Sequence, residues 1–206
     1  MRVSRAKAAA SRQRIVDEAA RLFRERGFDG IGVAELMSAA GLTHGGFYGH
    51  FASKEELMGE ACHRAVTTML AEWNRTGETA AGNGLQAIAA RYLSRAHRNA
   101  PGTGCLMAAL GPEASRQAKP VQDVVTECLG DVLDLLTRYA PGRTLRQRRR
   151  RAIATFASLV GALVIARAVN DAAVSNEVLE TVAAAVGAAT PTPQRGGRRR
   201  RDIRPG

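Results

Sequence analysis

The residue best placed for covalent chemistry in this sequence is Cys105. It follows the break Pro101-Gly102-Thr103-Gly104 and begins a predicted helix, where backbone N–H groups and the helix dipole can lower the pKa of a thiol. Such a thiol could serve as the nucleophile of an enzyme. The alternative is a small buried apolar residue, the usual role of an unpaired cysteine. Because no nucleophile elbow, pair of catalytic carboxylates or phosphate-binding loop accompanies Cys105, we expect a protein that is not an enzyme.

Metal chemistry has little support in this sequence. The cysteines Cys62, Cys105 and Cys128 are odd in number and scattered, and they lack the C-x-x-C spacing of a structural zinc site. His63 stands beside Cys62, but no further ligand follows at metal spacing. We therefore predict no metal, no cofactor and no disulfide framework, which suits a reducing cytoplasm.

The charge of the chain indicates a polyanionic partner. The formal net charge is +11, and the segment 191–206 holds six arginines against one aspartate. Before the first acid, Asp17, there are five further cations: Arg2, Arg5, Lys7, Arg12 and Arg14. Nucleic acid is the commonest partner of such a surface. The tail 191–206 is predicted to be disordered, with nonspecific DNA affinity as the alternative, and Arg146 to Arg151 are predicted to be a solvated face.

Three short helices in the first fifty residues must position the groups that contact this partner. Apolar spacing predicts helices over 11–27 and 33–40, and the turn Gly41-Leu42-Thr43 leads into a third. Two helices joined by a glycine-containing turn form a helix-turn-helix pattern. Its second helix enters the major groove of DNA, and we expect its outer face to comprise Thr43, His44, Gly45, Tyr48 and Gly49.

This second helix has a poor intrinsic propensity. It contains Gly45, Gly46 and Gly49, and each glycine inside a helix costs about 0.5–1 kcal/mol relative to Ala. We expect an N-cap at Thr43 and packing on the preceding helix to offset this cost. The packing residues are predicted to be Leu42, Phe47 and Phe51.

The rest of the chain is predicted to be a helical body. Ser53 and Glu56 have the spacing of a capping box, so a new helix begins there. Further helices are predicted over 85–97, 105–110, 121–139, 144–169 and 176–188. The fold class is therefore all-α, with a helix-turn-helix head at 1–52, an effector-binding and dimerisation body at 53–190 and the tail. The near-apolar run Ala152 to Ala166 is shorter than the ~20 residues that a bilayer requires, so we expect no membrane partner.

One segment carries a specific combination of residues, from Arg14 to Leu57. Its sequence is RIVDEAARLFRERGFDGIGVAELMSAAGLTHGGFYGHFASKEEL, in which Gly41, Phe47-Tyr48, His50-Phe51, Lys54 and Leu57 form the combination. This segment, about a fifth of the chain, resembles the TetR family of transcriptional repressors. The resemblance implies a homodimer that binds a palindromic double-stranded DNA operator and releases it when a small molecule enters the body.

The resemblance also implies roles for individual residues in the head. Tyr48 and Lys54 match positions that contact phosphate, and Thr43 and His44 match positions that contact bases or backbone. His44 replaces a frequent lysine, so a permanent charge becomes a titratable one. Gly32 stands where a capping Ser or Thr is usual. The remaining expected DNA-binding residues are Arg12, Arg14, Gly45 and His50, although His50 could instead be a packing residue.

The body residues are assigned from their chemistry and from the resemblance. Large or soft side chains are expected to line an effector pocket: Met69, Trp73, Tyr92, Cys105, Met107, Leu110 and Phe156. Some members of the family sense electrophiles with a cysteine, which makes Cys105 a candidate sensor. The last two helices are expected to form the dimer interface, with Phe156, Leu159, Val160, Leu163, Leu179, Val182 and Val186 near the seam. A basic architectural protein that coats DNA without an operator is the alternative function.

Overall fold

The computed structural model describes residues 5–188, and within that range the chain folds into α-helices and two short 3₁₀ helices. The α-helices are α1 (Arg5–Arg26), α2 (Val33–Ala39), α3 (Lys54–Thr79), α4 (Gly84–Tyr92), α5 (Arg95–Asn99), α6 (Leu106–Ala114), α7 (Lys119–Tyr139), α8 (Leu145–Ala168) and α9 (Ala172–Ala188). The 3₁₀ helices are His44–Gly49 and Pro101–Thr103. These elements confirm the all-α prediction. The tail 191–206 and the expected end of the body at 189–190 lie outside the described residues.

The head is formed by α1, α2 and the 3₁₀ helix His44–Gly49, packed around one apolar core. Its centre is fully buried and consists of Ile15, Phe23, Leu36, Met37, Phe47 and Phe51. Gly41 has a φ of +70°, a left-handed conformation that side chains other than glycine rarely adopt. The amide of Leu42 then donates to the carbonyl of Met37 at 2.8 Å, which ends α2. This turn sets the angle between the two helices of the helix-turn-helix.

The long helix α3 connects the head to the body. It begins where predicted, with the Ser53 hydroxyl accepting from the Glu56 amide at 3.2 Å. The Glu56 carboxylate accepts from the amide of Ala52 at 2.6 Å, one residue before the N-cap Ser53 that a capping box would use. The helix continues to Thr79. Both α1 of the head and α7 of the body pack along α3. The head and the body are therefore joined through this one helix.

The middle of the body, between Leu85 and Ala114, differs from the sequence prediction at two places. The predicted helix 85–97 is interrupted at Leu93, and Ser94 caps a separate helix by accepting from the His97 amide at 3.2 Å. The helix predicted over 105–110 is longer than expected, because α6 continues to Ala114 with Pro112 inside it. The side chains of Leu110 and Ala114 are buried in the core. Their packing outweighs the tendency of proline to end a helix.

The apolar helix α8 is long and apolar enough to cross a bilayer by length and composition alone. It is nevertheless an internal helix of the body, because Ala152, Phe156, Leu159, Leu163 and Ala166 pack into the core with 5% or less of their surface exposed. α9 lies against α8 and begins at Ala172, four residues earlier than predicted. Asp171 starts it by accepting from the amides of Ala173 and Val174.

Candidate nucleic-acid interface

The second helix of the helix-turn-helix is a 3₁₀ helix rather than the predicted α-helix. Thr43 occupies the N-cap, but its hydroxyl makes no capping bond, so this part of the prediction is wrong. The Thr43 carbonyl instead accepts from the Gly46 amide at 3.0 Å. On the inner side Phe47 stacks on Phe51 with ring centroids 5.6 Å apart. Aromatic packing therefore anchors a segment whose glycines would weaken a longer α-helix.

The outer side of this segment is open. Tyr48 is 72% exposed, and its ring meets the edge of Phe47 at 5.3 Å. The other outward residues, Thr43, His44, Gly45 and Gly49, are also exposed. A Cβ placed on Gly45 or Gly49 would have no atom within 4 Å. The segment thus presents a narrow ridge of bare backbone with one projecting phenol.

Arg12, expected to contact phosphate, is held inside the head–body junction. Its guanidinium pairs with Glu60 and with Glu56 of α3, and its Nε donates to the His50 carbonyl at 3.3 Å. The same group lies 4.5 Å above the Phe51 ring, a cation–π contact. Hydrogen bonding to Glu60 raises the pKa of Arg12. We therefore assign Arg12 the role of fixing the head on α3.

Three other expected contact residues differ in accessibility. Arg14 is exposed and donates to the neighbouring Ser11 hydroxyl at 3.4 Å. His50 is half-buried, with its ring centroid 6.4 Å from that of Phe51. Lys54 donates through Nζ to the Phe28 carbonyl at 2.7 Å, which leaves two of its three N–H donors for another acceptor.

Gly32 is the N-cap of α2 and has no side chain to cap it. The Glu35 carboxylate accepts from the Gly32 amide at 3.5 Å, but the Glu35 amide, which a Ser or Thr hydroxyl would cap, has no side-chain acceptor at this position. A Cβ on Gly32 would have no atom within 4 Å, and its φ of −89° suits any residue. The position is exposed and available for contact by its backbone alone.

Two links between the head and the body have no signature in the sequence. Glu113 of α6 accepts from the Phe28 amide at 2.7 Å, 85 residues away along the chain. Arg24 of α1 donates to the Gly104 carbonyl at 2.9 Å. The turn after α1 is thereby attached to α6, and Gly27 in this turn has a φ of +83°.

A comparison with known families finds a match for this head. Residues 15–61 match the family model described as bacterial regulatory proteins, tetR family. The matched range covers most of α1, then α2, the turn, the 3₁₀ helix and the start of α3. Over residues 15–61 this head is therefore similar to those of the tetR family.

The curated relatives are HTH-type transcriptional repressors by name. The HTH-type transcriptional repressor DhaR of Mycobacterium sp. (strain GP1) is 31% identical over 119 residues, which are 57% of this chain and 58% of DhaR. The HTH-type transcriptional repressor NemR of Escherichia coli (strain K12) is 28% identical over 134 residues, which are 62% of this chain and 66% of NemR. The chain therefore spans less than two thirds of the length of either relative. These relatives are named as regulators of transcription, in agreement with the expectation that the chain is not an enzyme.

Solved structures share the fold at low sequence identity. The reduced form of E. coli NemR has a TM-score of 0.74 at 23% identity and covers 90% of this chain and 99% of its own. A TetR-family regulator from Cytophaga hutchinsonii has a TM-score of 0.73 at 21% identity, covering 91% of this chain and 98% of its own. The helical body therefore has the same fold as the bodies of these solved structures.

A cavity of about 380 Å³ opens in the body between α3, α4 and the segment around α5. Of the expected pocket residues, Met69, Trp73 and Tyr92 line it. The others are Glu72, Arg91, Ser94, Ala96, His97, Ala100, Thr103 and Gly104. Trp73 and Tyr92 meet edge to face at 5.6 Å, and Glu72 pairs with Arg91 at the rim. The volume suits a small organic molecule.

The remaining expected pocket residues lie behind this cavity. Cys105, Met107 and Phe156 line a separate apolar gap with room for about 10 Å³, and Leu110 is buried in the core. Burial raises the pKa of the Cys105 thiol, and this exceeds the lowering by the Tyr92 hydroxyl and nearby amides. The Cys105 side chain is 1% exposed at the start of its helix, so the structure agrees with the role of a small buried apolar residue rather than with that of a reactive thiol.

Sequence reasoning missed His97, which joins the cavity to α6. Its Nδ1 lies 2.6 Å from the Tyr92 carbonyl, and its Nε2 accepts from the Cys105 amide at 3.1 Å. These two bonds require the neutral ring with its proton on Nδ1. Burial lowers the pKa of His97, which favours the same neutral form.

The expected dimer residues are mostly buried within one chain. Phe156, Leu159, Leu163, Leu179 and Val186 are at most 8% exposed without any partner, because they fill the space between α8, α9 and the rest of the body. Val160 and Val182 are half-buried. The exposed face of α8 consists of other residues: Ala154, Ala157, Ser158, Val164 and Ile165.

Proposed function

We propose that this chain is a transcriptional repressor that binds a palindromic DNA operator as a homodimer and releases it when a small molecule binds. The observation that carries the proposal is the outer side of the 3₁₀ helix in a TetR-type head. Tyr48 projects from a ridge on which Gly45 and Gly49 leave the backbone bare. A duplex can approach such a backbone closely, while the phenol and the Thr43 hydroxyl supply hydrogen bonds.

The phosphate contacts that we propose come from Tyr48, Lys54 and Arg14. Lys54 stands at the first position of α3, where free amides and the helix dipole also attract a phosphate. Its bond to the Phe28 carbonyl holds the ammonium near this helix end. Arg12 is left out of the contact set because Glu56, Glu60 and the His50 carbonyl occupy its donors.

The effector that we propose is a compact organic molecule with polar groups, bound in the cavity beside Trp73 and Tyr92. The cavity offers aromatic faces together with the polar side chains of Ser94, His97 and Thr103. Ligand and DNA are coupled because His97 holds the Cys105 amide at the start of α6, and Glu113 of α6 holds the Phe28 amide in the head. A ligand that moves α6 favours one head orientation over another and lowers operator affinity by its differential binding energy.

The dimer that we propose forms through α8 and α9. Ala154, Ala157 and Ser158 are exposed on one face of α8, and Gly161 follows at the same helical spacing. Such small residues allow two helices to approach closely, with Val164 and Ile165 extending the apolar contact. Replacing Gly161 by Glu places a charge on this face, where no atom of the same chain lies within 4 Å. We expect Gly161→Glu to give a monomer in sedimentation, and an unchanged dimer contradicts the seam.

The experiment that tests the proposal is a selection of bound duplexes from a random pool, followed by titration of the selected site. We expect a palindrome to be enriched. No enrichment favours the alternative of an architectural protein that coats DNA.

Tyr48→Phe then tests the face of the head. A hydrogen bond to a charged phosphate contributes about 1.5–3 kcal/mol, so we expect the affinity to fall at least tenfold. The matched control is Tyr139→Phe, which removes a hydroxyl that donates to Asn74 in the body and should leave the affinity unchanged. Equal affinities of Tyr48→Phe and the parent contradict the assignment.

A further inference from the structure

A dense group of arginines surrounds the start of α8. Arg138 lies near the end of α7, Arg143 lies in the loop, and the first two turns of α8 contain Arg146, Arg148, Arg149, Arg150 and Arg151. We call these seven residues the arginine surface. No Asp or Glu occurs in the sequence between Asp134 and Asp171. Arg138, Arg143, Arg146 and Arg150 are exposed.

The arginine surface lies where positive charge destabilises the isolated chain. The start of a helix carries the positive end of its dipole, and the first turn of α8 contains no acid. Its capping box uses the neutral pair Thr144 and Gln147. Arg146 and Arg150 are four residues apart, so their like charges repel on one face. Asp134 pairs with Arg149. Arginines at the start of a helix, and like charges four residues apart, are unfavourable locally, and sequences keep such unfavourable features mainly at functional sites.

The arginine surface also borders a concave site. A cleft of about 960 Å³ lies between the end of α7 and the start of α8. Its lining comes from two helices: Asp134, Thr137 and Arg138 of α7, and Leu145, Arg146, Arg148 and Arg149 of α8. Leu145 is 66% exposed. The guanidinium groups therefore surround an open groove that a bulky partner can enter.

This site is remote from the head. The Tyr139 hydroxyl, at the end of α7, donates to the Asn74 side chain of α3 at 3.0 Å. Asn74 is twenty residues beyond Lys54, which is about 30 Å along an α-helix. A duplex on the face of Tyr48 therefore does not extend to the arginine surface.

We propose that the arginine surface binds the phosphate backbone of a second DNA duplex, so that the protein bridges two duplexes. The proposal rests on the proposed function for the first duplex. Guanidinium groups form bidentate bonds to phosphate oxygens. Among the described residues, those that line the cleft include no aromatic side chain on which single-stranded bases could stack. Leu145 is the sole large apolar group among them, too little for insertion into a lipid surface. Binding at this site is independent of base sequence.

The test uses beads that carry the selected operator, the full-length protein and a labelled random-sequence duplex in solution. The patch variant combines Arg143→Gln, Arg146→Gln and Arg150→Gln. The control combines Arg75→Gln, Arg95→Gln and Arg116→Gln, which removes the same charge from exposed sites elsewhere. We expect the parent and the control to retain the labelled duplex and the patch variant to retain at least tenfold less, with all three proteins equally bound to the beads. Equal retention of the labelled duplex by the patch variant overturns the proposal.

A failure of the head is distinguishable from a failure of the arginine surface. If the protein itself does not stay on the beads, the proposed operator binding is wrong, and the same three proteins are titrated with the labelled duplex in solution. A weaker affinity of the patch variant alone supports the arginine surface, and equal affinities overturn it.

Thermal unfolding tests the electrostatic repulsion among the arginines. Added salt should raise the midpoint of the parent more than that of the patch variant, because salt screens the repulsion between these like charges. An equal response contradicts the electrostatic argument.

Discussion

Replacing Gly45 by Ala should make the protein more stable and a weaker DNA binder. The backbone of Gly45 has no positive φ, and a Cβ there would have no atom within 4 Å. The native conformation therefore accepts a methyl group without strain. Because alanine restricts the unfolded chain more than glycine does, the free energy of unfolding should rise by about 0.4–1 kcal/mol.

The effect on DNA binding has the opposite sign. The methyl group extends about 1.5 Å beyond the bare backbone, on the side that we propose faces the groove. It would hold the duplex away and break a hydrogen bond, worth about 1.5–3 kcal/mol when the acceptor is a phosphate. The affinity should then fall at least tenfold for each protomer. Stability and affinity should therefore change in opposite directions in one variant.

Gly41→Ala is the matched control, because its Cβ is equally unobstructed. Its φ of +70° makes alanine strained by about 1–2 kcal/mol, so this variant should be less stable than the parent. Denaturant unfolding followed by circular dichroism gives the stability, and fluorescence anisotropy with the selected duplex gives the affinity. If the Gly45→Ala protein binds the duplex as tightly as the parent, DNA does not approach the backbone at Gly45 closely. If the variant is less stable than the parent, the space around the Gly45 Cβ position is not open.

Three further predictions concern one link between the head and the body and two contacts within the body. Arg12→Ala should lower the free energy of unfolding by about 1–2 kcal/mol, since it removes a hydrogen bond from a charged donor, a cation–π interaction and partly exposed ion pairs; denaturant titration measures it. Gly77→Ala should cost about 1–3 kcal/mol by overpacking, because its Cβ would overlap the Tyr139 ring, and thermal unfolding shows it. His97 should make stability fall as pH decreases: burial lowers its folded pKa, so its contribution is complete above the ordinary pKa of about 6.5 and disappears as pH decreases below it.

Each of these predictions has its own control. Arg14→Ala removes a neighbouring arginine that is exposed and should change stability by less than about 0.5 kcal/mol. The control for Gly77→Ala is Gly130→Ala, because a Cβ at Gly130 would have no atom within 4 Å. Gly130→Ala should stabilise α7, whereas Gly77→Ala should destabilise α3. For His97, the difference in unfolding free energy between the parent and His97→Gln should shrink from about pH 7 to about pH 5.5. A constant difference contradicts the buried neutral ring.

The head was predictable from the sequence because its signals are local. Gly41, the Ser53 cap and the apolar spacing of α2 each act within a few residues, and the structure has all three where they were expected. The 3₁₀ geometry of His44–Gly49 was not predicted. Apolar spacing over six residues with three glycines cannot distinguish a 3₁₀ helix from an α-helix, because both place Phe47 on the inner side.

The body was less predictable because its determinants are distant in sequence. Glu113 and Phe28 are bonded across 85 residues, and neither has a neighbour that indicates the other. The position of Cys105 at the start of a helix was predicted correctly. The burial of its side chain depends on how α6 packs on the other helices, and no local sequence pattern indicates that packing. The break before Ser94 was detectable, since Ser is a preferred N-cap, but the continuous apolar spacing favoured one long helix.

The bond from Glu113 to the Phe28 amide has a consequence for protein engineering. A fragment that ends after the helix-turn-helix would remove the acceptors of this amide, of the Arg12 donors that bind Glu56 and Glu60, and of the Arg24 donor that binds Gly104. Head and body should therefore melt as one cooperative unit. A chimera that joins this head to the body of another regulator would need matching acceptors on the new α3 and α6. Exchange of operator specificity is accordingly simpler by substitution on the ridge at Gly45 and Gly49 than by transplanting the whole head.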